Sequence, residues 1–380
     1  MRAARVRTKT KTLKGVPQEW RGVFAVLCAL TLLLTGCDLG KNVSGATSPA
    51  RSTLTPLPAI AANAPLHEQL HLRTIAPEAL SLIVQPDDGR GPIVDALNAA
   101  QTSIDLEIYL LTDREVIYAL ETAVNRGVIV RVMMEPNPCC SQNNTMQRSV
   151  YAELQEARVQ TQWTNPVFRL THAKMMIVDG GTAFIMSQNL TKSSFQYNRE
   201  ASIVSHDTID VGAAQAIFDA DWNRTTLIPG DPNFVIANIN ARAKLLTLIN
   251  GATRSLVIES EEMQDGGIVD ALIAAQRRGV SVRYIGSTAP PGNAPVITDT
   301  NAPGRKRLTM SGASVKILAI PYIHTKTVLA DGAVAYVGSV NFSTASLDNN
   351  REVGFLTDNK AVISRLETVF TKDWSAAKTE

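Results

Sequence analysis

Cysteine is scarce, with four among 380 residues. Cys28 and Cys37 lie near the N-terminus, and Cys139 and Cys140 are adjacent in PNPCCSQNN. One adjacent pair makes no disulfide framework, and without a C-x-x-C and partner ligands it makes no zinc site. A local structural role is the expectation for Cys139 and Cys140. A membrane-length apolar run is missing from the N-terminal segment too: VFAVLCALTLLL, from Val23 to Leu34, falls short of the roughly 20 residues that span a bilayer. Nor does one sign of charge dominate, since the formal net charge is +2. With 45% hydrophobic and 19% charged residues, the chain has the balance of a globular protein and the length for two domains.

The charge that exists is placed unevenly. Seven cations (Arg2, Arg5, Arg7, Lys9, Lys11, Lys14, Arg21) and one acid, Glu19, precede the apolar run, which ends at Leu34-Thr35-Gly36-Cys37. A basic flank, a short apolar core and small residues predict a cleavable export signal over 1–36. The LTGC tetrapeptide resembles a bacterial lipobox, which implies lipidation of Cys37 and an extracytoplasmic protein anchored to the membrane. Losing seven cations and one acid takes the formal charge from +2 to −4. A mildly acidic body argues against a generic nucleic-acid binder, whose affinity comes mainly from cations on phosphates. Residues 37–74, rich in Ala, Ser, Thr, Pro and Asn, read as a flexible tether. His67 and His71, four apart near its end, have no third ligand and are expected to be solvated.

From there on the chain repeats itself. SIDLE (Ser103–Glu107) recurs as SLVIE (Ser255–Glu259), and ALETAVNRGVIVRV (Ala119–Val132) as ALIAAQRRGVSVRY (Ala271–Tyr284). His172 recurs as His324, Asn189 as Asn341, and Asn198-Arg199-Glu200 as Asn350-Arg351-Glu352, every pair 152 residues apart. A period of that size means domain duplication, with halves over 75–228 and 229–380. Within each half, strand-like runs such as LSLIVQ and VIVRVMME alternate with helical runs such as PIVDALNAAQTS. Two α/β domains follow, each a mixed, mostly parallel sheet flanked by helices and related by a pseudo-twofold. The seam between them is the natural place for a site.

At that seam the motif residues fall into sets. His172 and Lys174, like His324 and Lys326, are spaced by two and share one strand face. Asp179 and Asp331 follow at a hairpin turn, and Ser187 with Asn189, or Ser339 with Asn341, come on the return strand. Two such sets face to face offer cations and donors for a phosphate together with two imidazoles, able to stabilise charge developing on phosphorus.

The motifs HAKMMIVD and HTKTVLAD, followed by MSQN and GSVN, resemble the HKD signature of the phospholipase D superfamily over nearly the whole body, from Leu80 to Trp374. The resemblance implies a ping-pong reaction without cofactor or metal. His172 attacks phosphorus, and His324 protonates the leaving alcohol and then activates water. It also implies that Lys174, Lys326, Ser187, Asn189, Ser339 and Asn341 hold the phosphate. Glu200 and Glu352 would orient the catalytic histidines, and Asp179 and Asp331 would be structural. Met186 departs from the motif's usual Gly, present at Gly338, and is expected to narrow the first half-site. Arg199 and Arg351 are expected to form salt bridges, and Glu261 and Glu262 to point away from the phosphate. The tether at Cys37 favours a phospholipid substrate at a membrane surface, hydrolysed to phosphatidic acid and a head-group alcohol. Head-group exchange with an alcohol, including cardiolipin synthesis, is the alternative, with a nuclease and a non-catalytic binder behind it. Because the duplication completes the site within one chain, a monomer is expected.

Overall fold

A computed structural model describes residues 64–138, 141–288 and 299–380. The expected signal over 1–36, Cys37, the tether up to residue 63 and the pair Cys139–Cys140 lie outside the described residues.

The first half forms strands β1 (Leu80–Gln85), β2 (Ser103–Ile108), β3 (Ile129–Met134), β4 (Gln160–Trp163), β5 (Lys174–Val178), β6 (Thr182–Met186) and β7 (Asn198–Ser205). They lie in the order β1-β7-β6-β5-β2-β3-β4. The second half forms β8 (Phe234–Ile236), β9 (Ser255–Ser260), β10 (Ser281–Gly286), β11 (Ser314–Ile317), β12 (Tyr322–Ile323), β13 (Lys326–Ala330), β14 (Val334–Gly338), β15 (Val353–Thr357) and β16 (Lys378–Thr379). Their order is β16-β11-β10-β9-β13-β14-β15-β8, while β12 leaves its own half to pair with β7.

Helix α1 (Leu66–Gln69) opens the described chain; α2 (Gly91–Ala99), α3 (Arg114–Asn125) and α4 (Ser141–Glu156) cover the outer face of the first sheet. After the short α5 (Lys192–Gln196) comes α6 (Thr208–Asn223). In the second half α7 (Ala241–Gly251), α8 (Gly266–Arg277) and α9 (Ala302–Met310) cover the outer face, followed by short α10 (Thr344–Asp348) and α11 (Lys360–Ala376). Helix starts repeat as faithfully as the motifs. Asp113 and Asp265 cap α3 and α8, Asp207 and Asn359 cap α6 and α11, each accepting from backbone N–H groups of the first turn.

The sheets are mixed as expected but less parallel. Among the described strands, parallel pairing is confined to β2-β3-β4, β9-β10-β11 and the β12–β7 crossover, and the other strand pairings are antiparallel. The cause is the hairpin after each H-x-K strand. Asp179 and Gly180 have φ of 54° and 59°, and Asp331 and Gly332 have 58° and 61°, the positive values a two-residue hairpin turn needs at both central positions. A tight hairpin can only join antiparallel strands. The end of the expected tether is likewise packed, not flexible. Leu66 and Leu70 are buried in the core under α7, and Arg73 donates to Asp207, Asp210 and Asp231.

A central core contains the inner faces of both sheets together with α6 and α11, so the halves share one apolar interior. Two ion pairs cross it. Arg199 of β7 donates to Asp373 of α11 at 2.5 and 2.9 Å, and Arg351 donates to Asp221 of α6, whose carboxylate comes within 2.9 Å. Both arginines thus do what their place beside the glutamates predicted. Glu107 on β2 and Glu259 on β9 are buried beside these pairs. Burial, then Asp373, pushes the Glu259 carboxyl up to about 8 against the pull of Arg199. A raised carboxyl pKa favours the folded state fully below the unfolded value, and that gain is lost as pH rises towards 8. Thermal unfolding from pH 5 to 8 should therefore show a shallower decline in Tm for Glu259→Gln than for the parent; equal slopes would contradict a protonated Glu259.

Candidate active site

The chain crosses between halves just before each histidine. Thr171 bridges to Arg351 and Ile323 to Arg199, equivalent positions in the repeat. His172 N–H donates to the Arg351 carbonyl at 2.8 Å, and His324 N–H to the Arg199 carbonyl at 3.2 Å. Each imidazole is thereby laid against the glutamate of the other half. His172 Nδ1 is hydrogen-bonded to Glu352 at 2.9 Å. His324 Nδ1 lies 2.8 Å from Glu200, a contact less well aligned than its counterpart. The crossed pairs close one site, and with Nδ1 occupied on both rings, Nε2 is left for chemistry.

The two glutamates are fully buried, so each needs partners. Ser187 donates to Glu200 at 2.6 Å, and Asn198 at 3.3 Å. Glu352 takes its bonds from Ser346 at 2.5 Å and Asn350 at 3.1 Å. Burial works against both charges, but His324 for Glu200 and His172 for Glu352 hold the carboxyls below their usual range.

Lys174 Nζ donates to the His172 carbonyl at 2.6 Å, and Lys326 Nζ donates to the His324 carbonyl. Burial lowers the Lys174 ammonium to about 7, opposed chiefly by Glu352. Burial drives the His172 imidazole down to about 4, with Glu352 pulling the other way and Lys174 adding to the fall. His172 is accordingly neutral at pH 7.

Three expectations change here. The hydroxyls of Ser187 and Ser339 are buried and committed, Ser187 to Glu200 and Ser339 to the Val353 carbonyl at 3.2 Å, so they do not present themselves to a phosphate. Asn189 and Asn341 keep side-chain amide oxygens without a protein partner and remain available through their amides. Met186 packs into the outer core under the helices and does not narrow the site. Glu261 and Glu262 do not turn away. Glu261 accepts from Lys326 at 2.7 Å with His324 Nε2 at 3.5 Å, and Glu262 is half-buried beside it. Asp179 and Asp331 do the structural work expected of them, accepting the backbone N–H groups of residues 101–103 and 253–255.

Sequence reasoning missed two aromatic neighbours. Tyr109 meets His172 edge-on at 4.6 Å with Lys174 Nζ 5.0 Å from its ring centre, and Tyr322 lies 6.5 Å from His324. Among the described residues no group of three His, Cys, Asp or Glu has the arrangement of a metal site, and no helix is long and apolar enough to cross a membrane.

This geometry coincides with a family match. Residues 93–222 and again 245–374 match the family described as "Cardiolipin synthase, PLD-like domain". The chain belongs to that family, within the phospholipase D superfamily. Both matched segments carry a complete set of motif residues, and their starts and ends are themselves offset by the repeat period. Relatives in the superfamily include a cardiolipin synthase of Listeria welshimeri, 26% identical over 238 residues, which cover 54% of this chain and 49% of that protein. The major cardiolipin synthase of Bacillus subtilis is 25% identical over 331 residues, covering 75% of this chain and 67% of that one. The chain spans about half the length of the first of these relatives. Among solved structures, phosphatidylserine synthase of Haemophilus influenzae shares the phospholipase D fold at TM-score 0.64 and 12% identity, over 83% of this chain and 91% of that one.

Proposed function

We propose that this chain is a phosphatidyltransferase of the cardiolipin synthase kind, moving a phosphatidyl group to the hydroxyl of a second glycerophospholipid through a phosphohistidine on His172. The observation that carries this is the crossed pairing, His172 with Glu352 and His324 with Glu200, which brings two imidazoles to one site in place of two separate ones. One ring serves as nucleophile and the other as acid and base. Lys174, Lys326, Asn189 and Asn341 hold the phosphate oxygens, and Glu200 and Glu352 fix the tautomers.

The same site hydrolyses when water takes the acceptor's place, which is the reading the sequence put first. The relatives are cardiolipin synthases, and they favour transfer over hydrolysis. Lipidation at Cys37 would keep such an enzyme at its substrate, at about 0.8 kcal/mol per buried CH2. Incubated with phosphatidylglycerol vesicles, the full chain is expected to release glycerol and form cardiolipin. Phosphatidic acid as the sole product would replace transfer by hydrolysis. Nicking of plasmid DNA with no lipid turnover would overturn both.

A further inference from the structure

We propose that Glu261 assigns the two histidines their roles, making His324 the proton donor and leaving His172 as the nucleophile. The inference rests on the phosphohistidine reading above and adds a residue to it.

The half-sites match residue for residue at the repeat offset, His with His, Lys with Lys, Glu with Glu, so symmetry alone gives neither imidazole a preferred role. At the ends of β2 and β9 the match fails: Tyr109 in the first half stands where Glu261 stands in the second. The first half puts an uncharged ring against His172 and Lys174. The second puts a carboxylate 2.7 Å from Lys326 Nζ and 3.5 Å from His324 Nε2, the nitrogen left for chemistry.

A carboxylate at that place has two consequences. It opposes bond formation between His324 Nε2 and phosphorus, because the phosphoryl oxygens would be driven against a like charge. It also favours a proton on that nitrogen. Burial works against the Glu261 charge, but His324 first and then Lys326 hold the carboxyl well below its usual range, so it is ionised whenever the site works. His172, neutral through burial, has its lone pair free.

The reaction then runs in one direction. The His172 Nε2 lone pair forms the N–P bond as the P–O bond to the leaving alcohol breaks, and the departing oxygen takes the proton from His324 Nε2. The acceptor hydroxyl next gives its proton to His324 Nε2 as its oxygen bonds to phosphorus, and the N–P electron pair returns to His172.

Groups facing His324 are Glu200 from β7, Glu261 from the end of β9, Lys326 from β13 and Tyr322 from β12, with Glu262 and Lys174 beyond. Of the charged groups, Glu261 and Glu262 have uncharged counterparts, Tyr109 and Leu110, and Glu261 is the one that reaches His324 Nε2 and Lys326. In Glu261→Gln the like charge that keeps phosphorus off His324 Nε2 is gone, so part of the phosphoryl adduct formed from bis(p-nitrophenyl) phosphate should move from His172 to His324. On phosphatidylglycerol vesicles kcat should fall about 10- to 100-fold, and Glu261→Asp should recover part of both. An adduct still confined to His172 in a folded Gln variant overturns the assignment. Independently, the unmodified full chain is incubated with bis(p-nitrophenyl) phosphate, quenched in alkali and mapped by mass spectrometry. A phosphoryl adduct on His172 is expected. An adduct on His324 would overturn the inference while leaving a phosphohistidine mechanism standing. Turnover with an adduct on neither residue would overturn both.

Discussion

His172→Ala is expected to abolish turnover of every phosphodiester, whereas His324→Ala should still react once with a substrate whose leaving group needs no proton. Losing a nucleophile removes the covalent route itself, and losses of about 10⁶-fold in kcat accompany such changes where nucleophile and base act as a unit. Losing a general acid costs about 10²- to 10⁴-fold when the leaving group is a poor one such as an alkoxide. Nitrophenolate leaves unaided. With bis(p-nitrophenyl) phosphate, His324→Ala should release one nitrophenolate per chain in a burst and then stall, since nothing takes the acceptor's proton in the second step. His172→Ala should show no burst. A burst from His172→Ala alone would reverse the roles. Sustained turnover in either variant would mean two independent sites, against the crossed contacts to Glu352 and Glu200.

Most of this site was legible in the sequence, because a repeat offset reports chemistry directly: His172, Lys174 and Glu200 each have a like partner 152 residues on. The offset does not report which half faces which. The crossing of Glu200 to His324 and Glu352 to His172 depends on β12 and Thr171 leaving their own sheets, and neither the motif nor the strand period encodes that. Period-two reasoning fell short for the serines for a local reason. Ser187 and Ser339 continue the inner-face alternation of Ala183 and Ile185, or of Ala335 and Val337, and their hydroxyls are taken up there by Glu200 and the Val353 carbonyl. Met186 obeys the alternation and joins the outer core with Phe184. At the equivalent Gly338 a Cβ would collide with the backbone of Val353 and Gly354 and with the Tyr336 hydroxyl, so the difference is one of core packing. Glu261 was misread because only its repulsion of phosphate was weighed. Facing Lys326 it gains an ammonium partner, and a buried carboxylate is tolerated when it is so paired. The replacement of Tyr109-Leu110 by Glu261-Glu262 at the repeat offset was the available signal.

Asp221→Ala is expected to destabilise the protein by about 3–5 kcal/mol at pH 7 and by less at pH 9. Arg351 is 3% exposed, and its guanidinium has Asp221 and the face of Phe168 at 4.3 Å as neighbours. Deleting Asp221 leaves that cation buried without its paired charge, the costly way to break an internal ion pair. Glu107 lies beside them, buried, with neither carboxyl oxygen hydrogen-bonded. Burial, and then the Asp221 charge, pushes its pKa well up, while Arg351 pulls it down. Once Asp221 is gone, one cause of the rise is gone too, and Glu107 can ionise against Arg351. A raised carboxyl loses its proton as pH climbs, so this compensation grows towards pH 9 and the measured loss shrinks. In Asp221→Ala/Glu107→Gln the compensation is impossible, and the full loss should appear at both pH values in denaturant unfolding. Equal losses in the single and double variants at pH 9 would remove Glu107 from the argument; a single-variant loss below about 1 kcal/mol at pH 7, the size of an exposed pair, would remove the buried pair. The consequence reaches the chemistry. The Arg351 carbonyl accepts from His172 N–H at 2.8 Å and the next residue is Glu352, so the same variant should lose the His172–Glu352 contact, and with it activity, below its unfolding temperature.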